Sequence, residues 1–161
     1  MQKITKTLKL MGLMALFIVF LVGSSFDGVD VEVSYVQQTL QKFYDPSRVS
    51  GVLKRSEFQV TNMGLCKYKR VYNNGKTEFF SFHFARLAKV DYYGTEEKGD
   101  LIFYTKQDDI IVQTHNDKKG NVDSMATSLT IPLKSIQAEQ LTQLTDNIKL
   151  ITEKLLLSQK K

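Results

Sequence analysis

FSFHFARLAKV, Phe80–Val90, opens with aromatic and polar residues in strict alternation. A period of two places Phe80, Phe82 and Phe84 on one face and Phe79, Ser81 and His83 on the other. A strand carrying three phenylalanines on one side must bury that side, so the first face predicts core and the fold turns on a sheet. Immediately upstream, Asn73-Asn74-Gly75 separates two alternating runs, Leu65–Tyr72 and Lys76–Phe84. Asn and Gly tolerate positive φ, which predicts a hairpin with a type I′ connection. Phe58–Met63 reads as an earlier strand, broken by Asn62-Met63-Gly64.

Downstream, Ala85–Lys89 predicts a bend or one helical turn, followed by a strand at Val90–Tyr93 and a polar turn from Gly94 to Asp100. Leu101–Lys106 and Ile110–His115 are two further strands joined by Gln107-Asp108-Asp109. After a charged loop, Asn116–Asp123, the residues Met125, Thr127, Leu129, Ile131 and Leu133 alternate as one last strand with that set facing the core. Pro132 has no amide hydrogen, so this end of the strand belongs at a sheet edge.

Two helices flank the strands. Val33, Val36, Leu40 and Phe43 recur at steps of three and four, predicting a short helix over 34–44 with Ser34 and Gln37 as its capping box. Asp45-Pro46 stops it, because the residue before proline is pushed out of the helical region. Ala138, Leu141, Leu144, Ile148, Ile151 and Leu155 form the stripe of a long helix from about Gln137 to Leu157. That stripe must be buried, and the sheet is the expected partner. Leu150, Leu156 and Leu157 fall off it.

The predicted class is therefore α+β: a strongly bent antiparallel sheet or partly open barrel of about six or seven strands, capped by the C-terminal helix. Residues 26–50 form a short helix and connector, and 51–161 a single α+β domain. The rhythm of FSFHFARLAKV, GDLIFYTK (Gly99–Lys106), DDIIVQTH (Asp108–His115) and TSLTIPLKSI (Thr127–Ile136) into a helix resembles the pleckstrin-homology-like superfold, as in GRAM-type and bacterial PH-like domains. The resemblance covers Phe80–Ile151 and is one of element order. It implies a binding module for a lipid or a peptide. The superfold's phosphoinositide signature would fall on Lys67, Lys69 and Arg70, of which Lys67 and Lys69 share a strand face and Arg70 points away.

The first 25 residues are of another kind. Lys3, Lys6 and Lys9 precede an uncharged run, Leu10–Gly23. A basic start and an apolar stretch of this length match a signal peptide, and a membrane-spanning helix usually needs about 20 apolar residues. Val22 and Ser24, or Gly23 and Ser25, sit where a signal peptidase selects small side chains. The expectation is export to the periplasm or the extracellular space, with anchoring by residues 10–23 as the alternative if the segment is not cut. Three of the 22 Lys and Arg lie in this segment and none of the 17 Asp and Glu, which leaves 19 against 17, a net of +2. That balance excludes a nucleic-acid partner held by a basic surface.

Chemistry-bearing motifs are sparse. Cys66 is the one cysteine, so no internal disulfide forms, and its place in an alternating strand predicts a small buried side chain. With His83 and His115 the only histidines, no metal-ligand spacing exists, and a Cys66–His83 or Cys66–His115 nucleophile is the single enzymatic alternative. In Asn116–Asp123, Lys119 fills a ligand position and glycine comes too early for a calcium loop. No catalytic residue, metal or cofactor is expected. The reading is a non-catalytic binding module in the cell envelope, with an unidentified protein or lipid-like partner. A carrier that holds a small apolar ligand among Phe79, Phe80, Phe82, Phe84 and Phe103 is the alternative.

Overall fold

The computed structural model describes residues 29–159, so residues 1–25, where a signal segment is expected, lie outside the described residues. Helix α1 is Asp30–Phe43 and helix α2 is Ala138–Ser158. Eight strands lie between them: β1 Leu53–Val60, β2 Leu65–Tyr72, β3 Thr77–His83, β4 Leu87–Gly94, β5 Lys98–Thr105, β6 Ile110–His115, β7 Asp123–Ala126 and β8 Ser128–Lys134. All pairings are antiparallel, in a five-stranded sheet of order β1-β2-β3-β6-β7 and a three-stranded sheet of order β4-β5-β8. The protein is α+β, and its two sheets do not close into a barrel. No helix among the described residues is long and apolar enough to cross a membrane.

The last strand predicted from the alternation is two strands. β7 pairs with β6 in the larger sheet, whereas β8 pairs with β5 in the smaller. The chain changes sheets at Thr127 without a break in the period, so alternation cannot register the transfer. Met125 is consequently exposed, while Leu129, Ile131 and Leu133 are buried. Pro132 does lie on an edge strand, and its carbonyl accepts from the Asp45 amide at 2.9 Å. The hairpin after Tyr72 also differs from a type I′ connection. Only Gly75 has positive φ (88°), the Gly75 amide donates to Tyr72 O (3.1 Å), and Tyr72 N donates to Lys76 O (2.9 Å). This is a three-residue loop in which the left-handed conformation falls on glycine alone.

Helix α1 begins four residues before the expected start, at Asp30, with Asp30 and Glu32 placing negative charge in its first turn. Ser34 is thus internal, and Gln37 is no cap. The Gln37 side chain accepts instead from Val60 N (2.9 Å), and Gln41, one turn on, accepts from Phe58 N (3.4 Å). Four helical residues rise about 6 Å and two strand residues about 6.7 Å, so the two glutamines match alternate amides of β1.

Leu144, Ile148 and Ile151 of α2 are buried, as the stripe requires. Their main neighbours are α1 and the 3-10 turn Phe84–Arg86, not a sheet face, because α1 already stands between α2 and β1. Tyr35 Oη donates to Gln143 (2.9 Å) and Lys154 pairs with Glu32 (2.9 Å) across the two antiparallel helices. Val36 and Leu40 of α1 are fully buried in the same core as Phe82, Phe103 and Ile131.

Candidate functional site

The one thiol is not presented for chemistry. Cys66 is fully buried on the inner face of β2 opposite Phe82, and burial pushes its thiol up to about 12. His83 pairs with Leu65 on the opposite face and its Nδ1 accepts from Ala85 N (3.1 Å), closing the 3-10 turn. His115 pairs with Thr77, five residues along β3 from Cys66's partner, or about 17 Å. Neither histidine reaches the sulfur, so no thiolate–imidazole pair forms. The folded chain is expected to react with a disulfide reagent at least about 100-fold more slowly than the chain unfolded in guanidinium. Comparable rates by absorbance at the released thiolate would contradict this burial.

Polar chemistry is instead concentrated at the hairpin end of the inner face. Arg70 Nε donates to Tyr68 Oη (2.8 Å), which hydrogen-bonds Tyr44 Oη, and the guanidinium lies over the Tyr68 and Phe80 rings at 4.7 and 5.0 Å. Glu78 faces Arg70 across the strand pair (3.4 Å) and accepts from Tyr72 Oη (2.7 Å). Lys76 joins Glu78 (2.9 Å) to Asp117 (2.8 Å) in the loop after β6. Burial pushes the Glu78 carboxyl up, yet the Tyr72 hydroxyl and the Lys76 and Arg70 charges together hold it below its ordinary value. Burial and the Glu78 carboxylate push Tyr72 up to about 12. Every member is engaged within the network, which therefore braces the hairpin and offers no free group to a substrate.

The three basic residues singled out in β2 separate as their parity requires. Lys67 is exposed and Lys69 lies over the outer ring of Phe79 (5.4 Å), whereas Arg70 turns inward to the network. They do not gather. Asp117 is likewise committed, to Lys76 and to Lys119 N (3.0 Å), and no three acidic, His or Cys side chains among the described residues come together as a metal site. The rings of Phe82, Phe84 and Phe103 pack against one another at 5.2–6.4 Å, while Phe79 is on the other face.

What remains open is backbone. The four sheet edges are β1, β7, β4 and β8. Gln37 and Gln41 cap the Phe58–Val60 end of β1; the Tyr44–Leu133 bridge and the Asp45–Pro132 bond cover the Pro132–Leu133 end of β8; β7 is four residues long. β4 is eight residues long; its Leu87 N–H donates to Phe84 O and the strand bulges between Leu87 and Lys89, but beyond that bulge no group outside β5 bonds to its backbone among the described residues. From Lys89 to Gly94, alternate N–H and C=O groups therefore face outward without partners among the described residues. Beside that edge runs a groove of about 460 Å³, lined by Leu87–Val90 of β4 and by Thr145, Asp146, Ile148, Lys149, Thr152 and Glu153 of α2. Comparison with known protein families, curated proteins and solved structures finds no match to this chain.

No residue of the groove stands out in the sequence, because an edge is a property of the sheet order. The Arg70–Glu78 pair did leave a signal: opposite charges equidistant from a turn centred on Asn74 face each other in a hairpin.

Proposed function

We propose that this chain is an exported, non-catalytic interaction module that takes up an extended segment of a partner polypeptide along β4. The observation that carries the reading is that, among the described residues, β4 is the long sheet edge with no cover beyond Leu87, with a groove alongside it. An uncovered edge of this length is a template for strand addition, and natural sheets blunt such edges when they are not used. β1 and β8 are each bonded by a helix or connector near one end and β7 is short, whereas β4 carries only its bulge at Leu87–Lys89. The element order that resembles PH-like domains supports the same reading, since that superfold hosts binding modules. The charge of the groove argues for peptide over anionic headgroup: Lys89 and Lys149 are balanced by Asp146 and Glu153.

Random extended peptides displayed against the full chain test this. Selected peptides are expected to slow amide exchange at Leu87–Tyr93. Failure to enrich any peptide, or protection confined to other strands, rules the reading out.

A further inference from the structure

The lining of the groove specifies what kind of segment fits. β4 forms one wall and α2 the other. A strand laid on β4 has a helix as its next neighbour, so no further strand can follow it. An edge of another sheet, including β4 of a second copy, carries a second strand behind it and meets α2. The occupant must be solitary. The lining of α2 runs from Thr145 to Glu153, about 12 Å of helix, which matches about four residues of extended chain.

Side chains of such a strand alternate between the floor and the rim. The floor is Leu87 and Ile148, both buried, with half-buried Val90. Thr145 and Thr152 add their methyl groups, because their hydroxyls donate to helix carbonyls, to Leu141 O at 3.1 Å and Ile148 O at 2.9 Å. The rim carries the charges. Lys89 is held by Asp91 (2.6 Å) and Lys149 lies 4.0 Å from Glu153. Asp146 is exposed and has no ion-pair partner among the described residues.

Resting on the reading above, we infer that the groove clasps a single extended segment of about four residues, apolar at alternate positions and bearing a basic side chain that meets Asp146. Main-chain bonds to β4 supply most of the affinity, and the side chains select the sequence.

The probes are acetylated, amidated heptapeptides titrated into the isotope-labelled full chain, with amide shifts and fluorescence anisotropy as readouts. Lys-Val-Thr-Val-Thr-Val-Lys is expected to shift Leu87–Tyr92 and Thr145–Glu153 together. N-methylation at alternate residues should weaken it by more than about tenfold, since two or more strand bonds are lost. Replacing its lysines with glutamine should weaken it about two- to fivefold, and Asp146→Asn should erase that difference while leaving the glutamine peptide unaffected. If the lysine, glutamine and serine-for-valine peptides all bind β4 equally, the specificity is wrong and strand docking survives. If no peptide shifts β4, both fail. A dimer whose shifts fall on β4 overturns the solitary segment in favour of a second copy.

Discussion

Replacing Glu78 with alanine is expected to lower stability by roughly 2–4 kcal/mol, read as a fall in the urea midpoint with an unchanged slope. The magnitude follows from what is left behind. Arg70, with only 15% of its side chain exposed, would keep its charge between the Tyr68 and Phe80 rings with no carboxylate opposite. Removing one partner of a buried pair costs about 3–5 kcal/mol, and the wet rim at Lys76 brings the figure down. Tyr72 also loses its acceptor, and Lys76 keeps only Asp117. Arg70→Met combined with Glu78→Leu should recover at least about half of the loss, because the double variant leaves no buried charge unpaired. A single variant within about 0.5 kcal/mol of the parent would mean that water replaces the carboxylate freely.

The same pair fixes a pH dependence. Folding lowers the Glu78 pKa below its ordinary value of 4.5, so the folded carboxyl binds its proton less tightly than the unfolded one. Its contribution is complete above that value and is lost as the pH falls through the lowered one. The stability of parent and Glu78→Ala should therefore differ most near neutral pH and converge as the pH falls through the lowered value. A gap independent of pH would assign the loss to packing alone.

How much of this was legible depended on the range of the contacts. The α2 stripe, the Phe82 and Phe84 face and the strands Leu65–Tyr72 and Ile110–His115 follow from local period, and the structure has them where the period puts them. Sheet membership does not. β4 and β5 leave the first sheet and β6 returns to pair with β3, a choice made by contacts distant in sequence. Gln37 and Gln41 read as polar surface on a helix, and only the position of β1 makes them edge caps. The groove is the extreme case, since it joins residues 87–90 to 145–153 and contains no unusual residue type.

Phe84→Ala should cost about 3–5 kcal/mol, the range for a buried aromatic whose site cannot collapse. Phe84 is fully buried within the 3-10 turn that carries the chain from the larger sheet to the smaller. Its ring lies against Phe82 (5.7 Å) and stacks with Phe103 (6.4 Å), so each sheet contributes a neighbour. Its backbone is fixed from two sides: Phe84 N donates to Gly64 O (2.8 Å) and its carbonyl accepts from Thr152 of α2 (3.4 Å). With the backbone pinned, the neighbours cannot close over a missing ring, and the cavity stays open. For a domain of this size the loss corresponds to a fall of roughly 10–20 °C in Tm. Phe79→Ala is the control, five residues earlier and of opposite parity. Its ring touches Lys69 (5.4 Å) and His115 (5.3 Å) on the outer face, and its removal should cost only about 1 kcal/mol. Equal losses would refute the assignment of the inner face as the core. The comparison also reaches the groove, because Leu87 follows the turn directly and Thr152 of its opposite wall is bonded to Phe84. If the turn sets the spacing of β4 and α2, a folded Phe84→Ala chain should bind the heptapeptide more weakly, whereas Phe79→Ala should bind it unchanged.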